Sequence, residues 1–116
     1  MNVEELREYC LSKKGTSECF PFDEETLVFK VLDKMFALCG LEKAEFVNLK
    51  CDPDWAIELR EEYPQITGGY HMSKKYWNTV KISELSNDLM IKLIDHSYDK
   101  VVEKMTKKNR LLLEQI

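Results

Sequence analysis

From Thr26 to Val31 the chain alternates, with Leu27, Phe29 and Val31 on one side and Thr26, Val28 and Lys30 on the other, the period-two signature of a strand. A tight connection around Asp33-Lys34 leads into the apolar run Met35 to Cys39, so the two segments predict a hairpin. A third strand is predicted over Phe46 to Cys51, with Val47, Leu49 and Cys51 on one face and Asn48 and Lys50 on the other. Short connections between three successive strands imply an antiparallel meander, since parallel strands need long crossovers.

Helical spacing brackets this meander. Asn2 is placed to cap a helix with an acidic first turn, carrying Val3, Leu6, Tyr9, Cys10 and Lys13 and stopping at Gly15. Asp52-Pro53 starts a second, with Ala56, Leu59, Arg60 and Tyr63 following and Pro64 ending it. Gln65 to Gly69 reads as a turn or hinge, and Asn78 to Ile82 as a fourth strand. Ser86 is placed to cap the longest helix, running to about Met105. Its two adjacent stripes, Leu89/Leu93/Val101 and Met90/Ile94/Val102, predict broad burial on a sheet. Lys107 to Ile116 is a basic, then apolar tail that either adds a helical turn or frays. The expected fold class is α+β, an antiparallel β-sheet with helices packed on one face. One domain is expected over residues 1–106, with 107–116 as its tail.

A chain of 116 residues, 44% of them hydrophobic, buries enough apolar surface to fold alone, which excludes global disorder. The first residues lack the basic start and long apolar core of a secretory signal, and no apolar run reaches the roughly 20 residues that span a bilayer, so a cytoplasmic location is expected. Cys10, Cys19, Cys39 and Cys51 show no Cys-x-x-Cys spacing and read as structural thiols.

The net charge of −4 argues against a nucleic-acid partner, but it is unevenly distributed. Residues 1–62 hold 15 acids and 8 bases, and residues 63–116 hold 6 acids and 9 bases. Within the second half, Tyr70 to Ile82 contains no acid, and it combines Lys74, Lys75 and Lys81 with Tyr70, His71, Tyr76, Trp77 and Asn78, directly after Gly68-Gly69. Cations, flat rings, an amide and flexible glycines are the components of a phosphate-facing loop. They equally describe core aromatics beside a solvated turn. A second cluster, Lys100, Lys104, Lys107, Lys108 and Arg110, is accounted for by the C-terminal end of the long helix. His71 and His96 form no metal-binding motif, and no hydrolase elbow, P-loop or dinucleotide fingerprint occurs. Neither catalytic residues, a metal site nor a cofactor is expected.

Four segments, Thr26–Val31, Lys34–Leu38, Val47–Pro53 and Gly69–Val80, together resemble the MmcQ/YjbR family of small bacterial proteins, and the likeness extends from Leu6 to about Lys107. The resemblance implies an antiparallel α+β domain similar to the bacterial frataxin homologue CyaY, and a DNA-binding role through a double-wing arrangement of β-hairpins. Gly68 stands where the family often has proline, Ser73 where asparagine is common and Tyr76 where histidine is common, and the absence of that histidine from the basic loop removes one phosphate or base contact.

The leading expectation is therefore weak, largely non-sequence-specific DNA binding through residues 69–81. Lys74, Lys75 and Lys81 would contact phosphate, Tyr70, Tyr76 and Trp77 would stack, and His71 and Asn78 would make polar contacts. Lys50 and Asn48, with Lys30 and Lys34, would be secondary contacts. An alternative is an adaptor for a small anionic ligand or a protein partner, built on Tyr70, His71 and Trp77. A third reading is weak metal binding by the acidic N-terminal half.

Overall fold

The computed structural model describes residues 1–42 and 44–116. Among them the chain forms ten elements: α1 (Val3–Ser12), β1 (Thr16–Cys19), β2 (Thr26–Val31), β3 (Lys34–Gly40), β4 (Phe46–Lys50), α2 (Pro53–Glu62), β5 (Ile66–Gly68), β6 (Trp77–Lys81), α3 (Asn87–Glu103) and α4 (Lys107–Glu114). The strands make one antiparallel sheet in the order β1-β2-β3-β4-β6-β5. The predicted meander is its centre.

Two strands depart from the sequence reading. β1 was not expected, because Thr-Ser-Glu-Cys has no apolar alternation and holds its edge place through pairing with β2. Ile66–Gly68, expected as a turn, is the short edge strand β5, whose Ile66 is buried opposite Val80. β6 begins one residue before the predicted strand and ends at Lys81.

Local chemistry starts α1, α2 and α3 as anticipated. Asn2 and Glu5 form a reciprocal capping box, with the Glu5 N–H donating to Asn2 Oδ1 at 2.8 Å. Asp52 accepts from the N–H groups of Asp54 and Trp55, with Pro53 at the first helical position. Ser86 accepts from the Leu89 N–H. The tail is an ordered helix rather than a frayed end, because Thr106 caps it and Leu113 enters the main core. Leu113 occupies the space a side chain would need at Gly15, whose φ of +72° already favours glycine.

The core lies between the helices and one sheet face, built from Leu27, Phe29, Val47, Leu49, Ile66 and Val80 against Leu6, Leu59, Met90 and Ile94. The β2–β3 register shifts between Phe29 and Lys30, and nearby the consecutive Phe36 and Ala37 both enter this core. Lys13 joins α1 to α3 by pairing with Asp95 and lying over the Tyr9 and Tyr98 rings, and the Tyr9 hydroxyl donates to Asp95 at 2.6 Å. Burial and that carboxylate push the Tyr9 hydroxyl up to about 12. Burial likewise pushes the thiols of Cys10 and Cys51 to about 12 and Cys39 to about 11, keeping them protonated and unreactive.

Two polar residues of α3 hold it to the sheet and to α2. The buried Ser97 hydroxyl donates to the Phe36 carbonyl at 2.6 Å and accepts from the Lys50 N–H at 2.8 Å, bridging β3 and β4 just beyond their last pair, Ala37–Leu49. His96 Nε2 accepts from the Asp52 N–H at 3.0 Å, and its ring meets Trp55 edge-on at 4.5 Å. Burial, then the nearby Lys100, lower its pKa below the ordinary 6.5.

Ser97→Ala strands the buried Phe36 carbonyl and the half-buried Lys50 N–H, so it is expected to lower stability by about 1–3 kcal/mol in urea unfolding. An unchanged midpoint would show the bridge to be dispensable. For His96 the folded pKa is depressed, so the unfolded chain takes up the proton first as pH falls. Its stabilising contribution is complete above the histidine range and is lost as pH falls through 6.5. Between pH 7.5 and 5 the native protein is expected to lose more stability than His96→Gln, and parallel losses would refute the assignment.

Candidate functional site

Period-two alternation sends Val28, Leu38, Asn48, Lys50, Trp77 and Thr79 to the sheet face away from the core helices. There Val28, Leu38 and Trp77 form a second apolar cluster, with Cys19, Met35 and Met72 packed against it. Two loops flank this face, Phe20–Glu25 before β2 and Gly69–Tyr76 before β6.

The second loop is fastened at several points. Gly69 donates to the Trp77 carbonyl at 2.8 Å, and a Cβ at Gly69 would stand 2.7 Å from that of Trp77, so only glycine permits the approach. Tyr70 donates its N–H to Thr79 Oγ1 at 2.9 Å, while Asn48 accepts from that hydroxyl and donates to the Tyr70 carbonyl at 3.3 Å. From α2, Arg60 donates to Asn78 Oδ1 at 2.7 Å and to the Lys74 carbonyl. His71 sits at φ +58° with its ring 4.0 Å from that of Tyr70.

Between the loops lies a trough of about 810 Å³. Leu38, Asn48, Thr67 and Thr79 line it from the sheet, Tyr70, His71 and Met72 from one loop and Phe22 from the other. One end is acidic, lined by Asp23, Glu25 and Glu42 around Phe46.

The opposite end of the strands, where the end of α3 meets the sheet, is basic. Lys75 and Lys104 both stand over the Tyr76 ring, at 5.4 and 5.1 Å from its centre. Lys34, Lys50 and Lys104 line a shallow groove of about 170 Å³ beside Met35 and Met105. Burial, then repulsion from Lys104, lower the Lys50 pKa. Lys100 is excluded from this group by its pairing with Asp52 and Glu103.

The structure redistributes the expected contact residues. Lys75, Tyr76 and Lys50 come together, joined by Lys34 and Lys104. Lys81 does not join them, because it lies opposite Phe46 at the far end of β6 and pairs with Glu84. Lys74 is exposed, but its stem lies over Gly68. Trp77 and Asn78, expected to face a partner, are 9% and 2% exposed. Trp77 packs on the outer cluster, and the Asn78 amide is spent on Arg60 and the Ala56 carbonyl. Asn48 is committed to Thr79 and Tyr70. Tyr70 and His71 belong to the trough.

Sequence reasoning missed Arg60 as a loop anchor, and it explained Lys104 by its helix end alone. Lys104 lies 29 positions beyond Lys75, a separation that no local spacing reveals. For the metal reading, no group of three His, Cys, Asp or Glu side chains among the described residues is arranged to hold an ion. Two of the acids are otherwise engaged: Glu18 with Arg7, and Asp23 with the N–H groups of Glu25 and Thr26. Among the described residues no helix is long and apolar enough to cross a membrane.

The YjbR family model matches residues 11–100. The uncharacterised protein YjbR of Escherichia coli K12 is 30% identical over the full length of both chains. The uncharacterised protein YbdF of Escherichia coli O157:H7 is 39% identical over 94 residues, covering 79% of this chain and 77% of its own. Among solved structures, the Deinococcus radiodurans protein DR2400, assigned to domain family DUF419, superposes with a TM-score of 0.90 at 40% identity, covering 97% of this chain and 88% of its own. A Pseudomonas syringae protein superposes with a TM-score of 0.70 at 27% identity, covering 84% of this chain and 96% of its own.

Arg60→Ala leaves the buried Asn78 oxygen without its donor and is expected to cost about 1–3 kcal/mol. It also frees the Lys74 carbonyl, so amide hydrogen exchange at Tyr76 and Trp77 is expected to speed up more than in β2 or β3. Uniform acceleration across the sheet would show that Arg60 supports the whole fold rather than this loop.

Proposed function

The chain belongs to the YjbR family, and we propose that it is a non-catalytic module that binds the phosphate backbone of DNA, weakly and without reading bases, through the lysines gathered around Tyr76. The observation that carries this reading is the gathering of Lys34, Lys50 and Lys104 from separate elements on one groove, with Lys75 sharing the Tyr76 ring with Lys104. Like charges gather there only at an electrostatic cost: burial first, and then repulsion from Lys104, lower the Lys50 pKa. A phosphate relieves that cost.

Lysines act as point charges and suit sequence-independent backbone contacts. Tyr76, 36% exposed, adds a flat ring beside them. The side chains with base-reading chemistry, Asn48 and Asn78, are engaged within the fold, which is why the reading assigns no sequence preference.

Three to four phosphate contacts give a slope of log affinity on log salt of about −3 to −4, or roughly a hundredfold loss between 50 and 200 mM salt. Fluorescence anisotropy with a labelled duplex is expected to show that slope, with Lys75→Glu/Lys104→Glu abolishing binding and Lys74→Glu/Lys81→Glu retaining most of it. Binding that tolerates the first pair, or no binding even at low salt, would overturn the reading.

A further inference from the structure

The acidic end of the trough carries chemistry that a DNA-binding role does not use. Thr26 pairs with Gly40, and the Leu41 N–H donates to the Glu25 carbonyl at 2.8 Å, so the β2 start and the β3 end bring Glu25 and Glu42 together. Their mutual repulsion, with Asp23 adding to it, raises the Glu25 pKa above the ordinary carboxylate range. None of the ion pairs among the described residues involves either carboxylate.

Beside these acids stand large rings left in solvent: Phe22 is 63% exposed, Phe46 40% and Tyr70 69%. Exposed aromatic surface around a concave volume marks a binding site more often than an isolated exposed ring does. The volume of about 810 Å³ suits a small organic molecule. Ring faces and carboxylates both attract cations, and neither attracts anions. Thr67 and His71 give the non-acidic end polar partners for a second group.

We propose that this trough binds a small organic cation, an ammonium or guanidinium group on an apolar body, with its charge beside Glu25 and Glu42 and its body against Phe46 and Tyr70. The site is separate from the Tyr76 groove: Phe46 and Lys50 lie at opposite ends of β4, about 13 Å apart along the strand. A cation between the two carboxylates would remove the repulsion that now raises Glu25.

Three probes that share a phenyl body and differ in charge test this: phenethylamine, phenethyl alcohol and phenylacetate, titrated into the full chain with amide chemical shifts as the readout. Phenethylamine is expected to give saturable shifts at Glu25, Phe46 and Tyr70, with about tenfold higher affinity than the alcohol and none for phenylacetate. Glu25→Gln/Glu42→Gln is expected to bring the amine down to the alcohol's affinity. Phe46→Ala, on a separate strand, is expected to weaken both while the amine keeps its advantage. Equal binding of amine and alcohol, tighter binding of phenylacetate, an amine preference that survives the double substitution, or no saturable shift would each overturn the proposal.

Discussion

Everything on the exposed side of this protein depends on the sheet being covered by the core helices on one face only. A strand alternates with period two, so each residue that β4 and β6 send to the helices fixes a neighbour pointing the other way. Val47, Leu49 and Val80 go into the core, and Asn48, Lys50, Thr79 and Trp77 are thereby committed to the open face. A one-residue slip in β6 would bury Thr79 and Lys81 and expose Val80. The core packing and the chemistry of the open face are thus two consequences of one register, and Ser97, bridging β3 to β4 from α3, fastens the helix that sets it.

The parts of the fold that were legible in sequence are those in which one local signal decides. The cap residues Asn2, Asp52, Ser86 and the alternation of Thr26–Val31 each required only their neighbours to be understood. β1 and β5 escaped because edge strands owe their conformation to a partner: Thr16–Cys19 exists by pairing with β2, and Ile66–Gly68 by pairing with β6. Trp77 and Asn78 were misread for a related reason. Their composition matched a contact loop, but Asn78 is pulled inward by Arg60 from α2, and Trp77 is capped by Met72 in the adjoining loop. The site lysines were half legible. Lys75 and Tyr76 stood out as neighbours, whereas Lys34 and Lys104 reach the same groove only through the hairpin turn and the end of α3.

Net charge is a poor guide to what such a surface does. A total of −4 describes the far field, which disfavours approach of a polyanion. At physiological ionic strength, however, charges more than about 8 Å apart are largely screened, so a contacting phosphate senses mainly the groups around it. Those groups are Lys75 and Lys104 over the Tyr76 ring and Lys34 and Lys50 beside Lys104 in the groove, with Lys100 holding Asp52 and Glu103. The short-range field at the contact and the long-range field met on approach have opposite signs here, which favours slow association and a small footprint.

The open face is therefore electrically polar along its strands, with carboxylates where β2 begins and β3 ends and lysines where β4 ends and β6 begins. Phe46 and Lys50 bound a distance of about 13 Å on β4, longer than the screening length. An anion bound at Tyr76 and a cation bound at Glu25 would then barely sense one another directly. What they share is mechanical: Tyr70, on the trough, and Lys75 and Tyr76, beside Lys104 of the groove, belong to one loop tied down by Asn48, Thr79 and Arg60. Any coupling between the two ends must pass through the position of that loop, and its strength is set by how firmly those three side chains hold it.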